Sequence, residues 1–450
     1  MLLVEGLVRL RHTRKDTPAA MADRNDSSRG SRNKRTWQSY RQRHRQRSHA
    51  QAHAEAKQIT IPPVLEHPMV PQAPPDTVET QADLLALVDS LRTAGRFAYD
   101  SEFIGEQTYY PRFCVIQVAT TEKVTLIDAL ADLDLTPFWE LIADEKVQTI
   151  VHAGQQDLEP VYRILDRTPG EIFDTQIAAA FLGLSYPCGL SKLVSSLLEA
   201  DLGPGLKFSQ WDERPLSEVQ KHYAANDVRY LPLLHETMVE QLTKIGRLEW
   251  VREENEQFSL PATYQVTPAG QRLRMRGAGM LDPLRRARLE ALVQWRDRAA
   301  REFDVPPRSL VKDALLLELT RLKPITLEAI RRVRGLPRPV KGRLGEAILQ
   351  VLEEARPETG QTDDGARRLS RREIEATREQ ADVIWQRVRA KCDEDKIDPA
   401  IVTSKRELTH LVRRFRERGD WAARVSESRL GRGWRGELLG EILRDPPPEA

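Results

Sequence analysis

The chain has little to cross-link it and nothing apolar enough to anchor it. Only three cysteines occur in 450 residues, Cys114, Cys188 and Cys392, far apart and with no CxxC pair. An odd, scattered set excludes a disulfide framework or a cysteine-rich zinc site and points to a reducing compartment. No run approaches the ~20 apolar residues of a membrane span, so a membrane is not an expected partner. Met1-Leu2-Leu3-Val4 is too short for a signal-peptide core and a basic stretch follows it, so a cytoplasmic protein is expected, with Met21 as an alternative start. A GxxxxGK[ST] phosphate loop is also missing, which argues against a helicase. Net charge is nearly absent too, 69 basic against 67 acidic residues, but it is unevenly spread. Residues 1–60 hold 14 Lys/Arg and five Asp/Glu, a basic tail that suits a polyanion.

The length suggests several domains. Residues 1–60 are expected to be a disordered basic arm, since Ser31 to Gln58 is almost devoid of large aliphatic residues. Arg41, Arg43, Arg45 and Arg47 there could neutralise phosphates. Six prolines between Pro62 and Pro75 predict an extended linker over 61–76. Residues 77–280 read as an α/β domain, with strands near 97–100, 112–120, 123–127 and 147–152, a helix from about Gly154 and a long helix beginning at Pro215. A mixed sheet flanked by helices is the expected fold. Strand signals end near residue 280, and two all-helical segments follow, 281–357 and 370–445. They look like a repeat. Trp295 followed by 305–311 is echoed by Trp385 followed by 397–403, and 343–349 by 437–443, the second copy being the more degenerate.

Three places in the α/β segment carry acids with chemical promise. Asp100 and Glu102, two apart at the end of a strand, project to one face, where they repel each other or cradle a hard cation. Asp157 lies in the first turn of a helix that follows a strand, where any helix tolerates an acid. Asp227 falls on a stripe of Leu216, Val219, Tyr223, Tyr230 and Leu234, an apolar face on which a carboxylate needs a counter-charge.

Asp100-x-Glu102, Asp157 and Tyr223-x3-Asp227, in that order, resemble the DEDD exonuclease superfamily with its ribonuclease H-like fold. Asp100-Ser101-Glu102-Phe103, Tyr109-Tyr110-Pro111, Ile116-Gln117, His152-Ala153-Gly154, Phe173 to Ala179 and Trp211-x-x-Arg214-Pro215-Leu216 resemble the ribonuclease D family in particular. The helical repeats resemble HRDC domains. The resemblance spans about residues 75–445 and leaves the basic arm outside it.

The resemblance implies a 3′→5′ exoribonuclease that releases nucleoside 5′-monophosphates and trims tRNA precursors and other small structured RNAs. It implies two divalent ions, Mg²⁺ or Mn²⁺, about 4 Å apart on Asp100, Glu102, Asp157 and Asp227. Tyr223 would then orient the attacking water and help accept its proton. His222-x4-Asp227 also fits a sister group with a histidine base. On a helix, however, four residues turn by about 40° and five by about 140°, which favours Tyr223. Phe103, Gln117 and His152 are candidate substrate contacts, although Phe103 and His152 also read as ordinary packing residues. Arg331, Arg332, Arg334, Arg338, Lys341 and Arg343 around Gly335-Leu336-Pro337 form a candidate RNA patch or a plain solvated face. RNA is the expected partner and a monomer the expected state. Because all four acids precede residue 228, the chemistry is expected not to require the helical repeats. A DNA 3′→5′ exonuclease and a non-catalytic nucleic-acid scaffold are the competing readings.

Overall fold

The sequence from Asp76 to Asp174 lays down six strands. In the computed structural model they are β1 (Asp76–Val78), β2 (Arg96–Ile104), β3 (Arg112–Ala119), β4 (Val124–Asp128), β5 (Gln148–Val151) and β6 (Glu171–Asp174). The structure describes residues 62–203, 205, 210–265, 270–272, 275–357 and 369–448. The basic arm, and with it Arg41 to Arg47, lies outside the described residues.

The sheet order is β1-β4-β3-β2-β5-β6, with β3 alone antiparallel to its neighbours. A seven-residue loop joins β2 to β3 and a short turn β3 to β4, whereas the parallel β2–β5 and β5–β6 pairs need helical crossovers. Those crossovers are α2 (Thr136–Ile142) and α3 (Gln155–Leu165), and α1 (Gln81–Ala94) links β1 to β2. After β6 come α4 (Thr175–Phe181), α5 (Leu190–Leu198), α6 (Glu218–Arg229), α7 (Leu231–Lys244) and α8 (Leu248–Asn255). Phe97, Tyr99, Ile116, Ile127, Phe138 and Trp139 fill the core between sheet and helices. The mixed sheet with flanking helices is the expected one; β1 and β6, three and four residues long, are too short to show a period in sequence.

Two local expectations change. The helix expected from Pro215 begins at Glu218, where Ser217 and Gln220 form a capping box that satisfies the first free N–H groups. It ends at Tyr230, and α7 restarts with Pro232 in its first turn. Its buried face is Ala224, Ala225 and Val228, so the Val219–Tyr223–Asp227 stripe is partly exposed. Leu216 and Tyr223 of the stripe pack against the small buried cluster of Cys114, Val115, Leu126, Trp211 and Ala224, and Asp227 stays partly exposed. The proline-rich segment is extended but is not a free linker. Val70 is buried, the Tyr230 hydroxyl accepts from Leu65 N at 3.3 Å, and the buried Arg229 guanidinium donates to the Pro71 and Ala73 carbonyls.

Beyond residue 280 everything described is helical. The main helices are α9 (Pro283–Phe303), α10 (Arg343–Glu354), α11 (Arg371–Asp395), α12 (Lys405–Arg418) and α13 (Gly433–Leu439), joined by further short helices. The two segments share a local feature. Both α9 and α11 end on a left-handed residue, Asp304 at φ 49° and Lys396 at φ 53°, and each is followed by a one-turn helix opened by proline, Pro307 and Pro399. Among the described residues no helix is long and apolar enough to cross a membrane.

Candidate active site

Strand β2 places Asp100 and Glu102 on one face, opposite Gln117 and Val115 of β3. Directly after Glu102 the ladder slips by one residue, a bulge that re-aims the strand end. Phe103, beyond the bulge, is partly exposed with its ring 5.8 Å from that of Phe113. Gln117 is fully buried, and among the described residues neither end of its amide has a hydrogen-bond partner. Such a group costs about 1–3 kcal/mol, so it stands out against the apolar residues around it.

Asp157 arrives on α3 through the turn 152–154. Ala153 adopts φ 60°, and a Cβ on Gly154 would come within 2.6 Å of the Val151 side chain, so only glycine fits there. Asp174 holds the turn: the backbone N–H groups of Ala153 and Gly154 donate to its two oxygens at 3.1 and 3.3 Å. His152 is spent on the same task. Burial pushes its pKa down to about 4, and the neutral ring donates from Nε2 to the Cys188 carbonyl, with Nδ1 beside the Thr175 hydroxyl, both at 2.9 Å. The Asp157 carboxylate accepts from the Ser101 hydroxyl and its carbonyl from the Tyr99 hydroxyl.

Helix α6 supplies Tyr223 and Asp227, one turn apart and near enough for the Asp227 carboxylate to raise the proton affinity of the phenol. His222 faces elsewhere; its Nε2 accepts from Asn226 Nδ2 at 2.9 Å. Arg214 sets the start of this helix. Its guanidinium grips both oxygens of Asp128 at 2.6 Å and donates to the carbonyls of Cys114 and Trp211, tying the segment before α6 to β3 and β4.

The four acids sense one another. Burial raises the proton affinity of each. Glu102 is lifted to about 8 with further help from Asp227 and Asp157, Asp227 to about 7 and Asp157 to about 6. Asp100 is raised well above the carboxylate range by burial and by all three others. Burial and the same negative field keep the Tyr223 phenol protonated. Among the described residues no three His, Cys, Asp or Glu side chains are gathered closely enough, as they stand, to hold a metal ion. The donors nevertheless are all carboxylate oxygens, the type hard divalent cations take. Two cavities of about 580 and 440 Å³ meet at Gly170 and Glu171 near the other end of the sheet and include none of these acids.

The candidate RNA patch lies on the first helical unit. Arg331, Arg332, Arg334 and Arg338 are exposed and Lys341 partly so, while Arg332 also pairs with Glu328.

A ribonuclease D of Gluconacetobacter diazotrophicus is 34% identical over 347 residues, spanning 75% of this chain and 86% of the relative. The chain belongs to the ribonuclease D family. A ribonuclease D of Acidiphilium cryptum is 38% identical over 282 residues, 62% of this chain and 71% of the relative. Residues 75–243 match the 3′-5′ exonuclease family and residues 285–352 the HRDC domain. The crystal structure of Escherichia coli RNase D, described as an exoribonuclease involved in structured RNA processing, superposes with a TM-score of 0.69 at 26% identity, covering 83% of this chain and 98% of that one. As a ribonuclease D, the chain is a 3′→5′ exoribonuclease built from a nuclease domain and a following HRDC domain.

Three contributors carried no role in the sequence reading: Ser101, Asp174 and the Arg214–Asp128 pair. Asp174 and Arg214 stood inside the quoted motifs, which was their only signal. Ser101 stood inside one too, but strand alternation turns a serine between two acids to the opposite face, so nothing marked it for Asp157.

Proposed function

We propose that Asp100, Glu102, Asp157 and Asp227 hold two divalent cations, Mg²⁺ or Mn²⁺, and that RNA is shortened there one nucleoside 5′-monophosphate at a time. The observation that carries this reading is the approach of four carboxylates on β2, α3 and α6, Asp157 buried and the others partly so, whose mutual repulsion is costly at neutral pH unless positive charge joins them. When bound, the cations stabilise charge on the phosphate and leaving oxygen and lower the pKa of the attacking water. The remaining work falls to the chain. Ser101 fixes Asp157, and Asp174 fixes the turn that delivers it, so this donor is held in place before substrate arrives. Tyr223, beside Asp227, orients the attacking water and helps accept its proton; His222, engaged with Asn226, takes no part. Phe103 packs under the terminal base, and the buried Gln117 amide serves the Asp100 side of the site.

The substrates we assign are 3′-extended tRNA precursors and other small structured RNAs. The E. coli relative's part in structured RNA processing and the exposed arginines 331, 332 and 334 support that assignment. One chain carries the whole site, so a monomer suffices. Three free, buried cysteines suit the reducing cytoplasm.

The test is digestion of matched RNA and DNA oligonucleotides with and without chelator. RNA should be shortened from its 3′ end only with added Mg²⁺ or Mn²⁺. Preference for DNA would favour the DNA-exonuclease reading, and no hydrolysis of either would favour a scaffold. Asp227→Asn should fold and lose at least about 100-fold in kcat. Tyr223→Phe should cost about 10²–10⁴-fold, far more than His222→Ala.

A further inference from the structure

The loop 105–111 joins β2 to β3 at the end of the sheet that carries Glu102, and it reaches two other elements. Backbone N–H of Tyr109 donates to Asp304 Oδ1 at 3.1 Å, at the left-handed cap of α9. The Tyr109 hydroxyl donates to Asp297 Oδ1 at 2.6 Å and accepts from Arg301 Nε at 2.9 Å, both on α9 of the first helical unit. Arg301 also closes on Asp297 at 3.2 Å and covers the Tyr109 ring at 4.9 Å. The next residue looks the other way. The Tyr110 ring packs edge-on against Tyr109 at 4.7 Å, and the Arg163 guanidinium of α3 lies over it at 4.6 Å. One tyrosine pair therefore connects the strand of Asp100 and Glu102, the helix of Asp157 and the first helical unit.

We infer that Tyr109 is a positioning residue for the exonuclease: through Asp297 and Arg301, the first helical unit sets the loop beside Glu102 and thereby the grip on the 3′ end of RNA. Three features lead there. The loop has seven residues and no secondary structure of its own, so its outside bonds decide where it sits. It begins two residues after Phe103, the partly exposed ring beside Glu102. Its hydroxyl lies between a carboxylate and a guanidinium, and hydrogen bonds to charged partners are the stronger and more directional kind. The inference rests on the exoribonuclease reading of the site above.

The experiment uses the full chain with Mg²⁺ and a short single-stranded RNA. Tyr109→Phe removes only the hydroxyl and keeps the ring on Arg301. KM should rise about 5- to 10-fold, as expected for a lost charge-assisted hydrogen bond, with kcat changed less than about twofold and the melting temperature unchanged. Asp297→Asn should show the same split, and the double variant should be no worse than either single one. Wild-type KM in Tyr109→Phe, or additive effects of the two substitutions, would overturn the inference while leaving the active-site reading intact. A kcat loss that tracks a fallen melting temperature would also overturn it, since that is a structural role only. Failure of the active-site reading is distinct: the wild-type chain itself would not shorten RNA.

Discussion

The two helical units are attached to the nuclease in opposite ways. The first touches it through the polar Tyr109 contacts and keeps Arg331, Arg332, Arg334 and Arg338 in solvent. The second shares the nuclease's apolar core. Trp434 of α13 packs against Phe181 at 4.8 Å and stacks on Trp250 at 5.8 Å. Beside them Arg435, only 6% exposed, binds both oxygens of Glu254 at 2.6 and 2.8 Å. Arg247 reaches across to the Asp395 carbonyl, and Asp398 N donates to the Ala180 carbonyl at 3.1 Å. The HRDC match covers 285–352 and not the second copy. The contrast explains that degeneracy: in the second unit many positions answer to the nuclease surface, whereas the first is free to keep its own pattern. It also corrects the view that both repeats are dispensable. All four acids precede residue 228, but cutting away the second unit would bare Phe181, Trp250 and Glu254.

If so, the two junctions should fail differently. Arg435→Ala leaves Glu254 charged and largely buried, and the loss of one partner of such a pair should destabilise by about 3–5 kcal/mol. Arg301→Ala at the exposed first junction should cost about 1 kcal/mol or less. Urea unfolding monitored by circular dichroism measures both, and equal losses would erase the distinction.

A smaller effect separates the acid cleft from both junctions. Asp227 has a folded pKa of about 7, above its ordinary value of 3.8, so the folded chain binds this proton more tightly than the unfolded one. That contribution is complete below about pH 4 and is lost as pH rises through 7. In chelator, Asp227→Asn should therefore be more stable than wild type at pH 8 and indistinguishable at pH 4. A melting-temperature series of wild type and Asp227→Asn against pH checks the sign.

The smallest expected effect concerns affinity alone. Changing Arg331 and Arg334 to Gln should leave stability within about 0.5 kcal/mol, as for exposed positions. It should flatten the slope of log affinity against log salt by about one unit per lost phosphate contact. Titrations of a tRNA precursor at several salt concentrations would show it, and an unchanged slope would mark this face as merely solvated.

Much of this was legible from the sequence because its information is local. Asp100 and Glu102 share a face by strand alternation, and Tyr223 and Asp227 share one by helical pitch; both relations hold wherever the elements are placed. The sheet's central strands were legible for the same reason, being long and apolar. The helix start at Glu218 was misplaced because Pro215 is an equally good opening signal, and only the Ser217–Gln220 box decides between them. The docked proline segment was missed because proline content speaks of extension and says nothing about the Arg229 side chain waiting for its carbonyls.

Composition and spacing by themselves determined the residue types of the site, the order of its elements and the helical character of the last third. Tertiary structure alone decided that Asp157 would meet Ser101, that Asp174 would brace its turn, that Tyr109 would lie between Asp297 and Arg301, and that Trp434 would close on Phe181. These pairs are separated by 56, 21, about 190 and over 250 positions. Helical and strand periodicity reaches only a few residues along the chain, and contacts at such separations follow from how the layers pack.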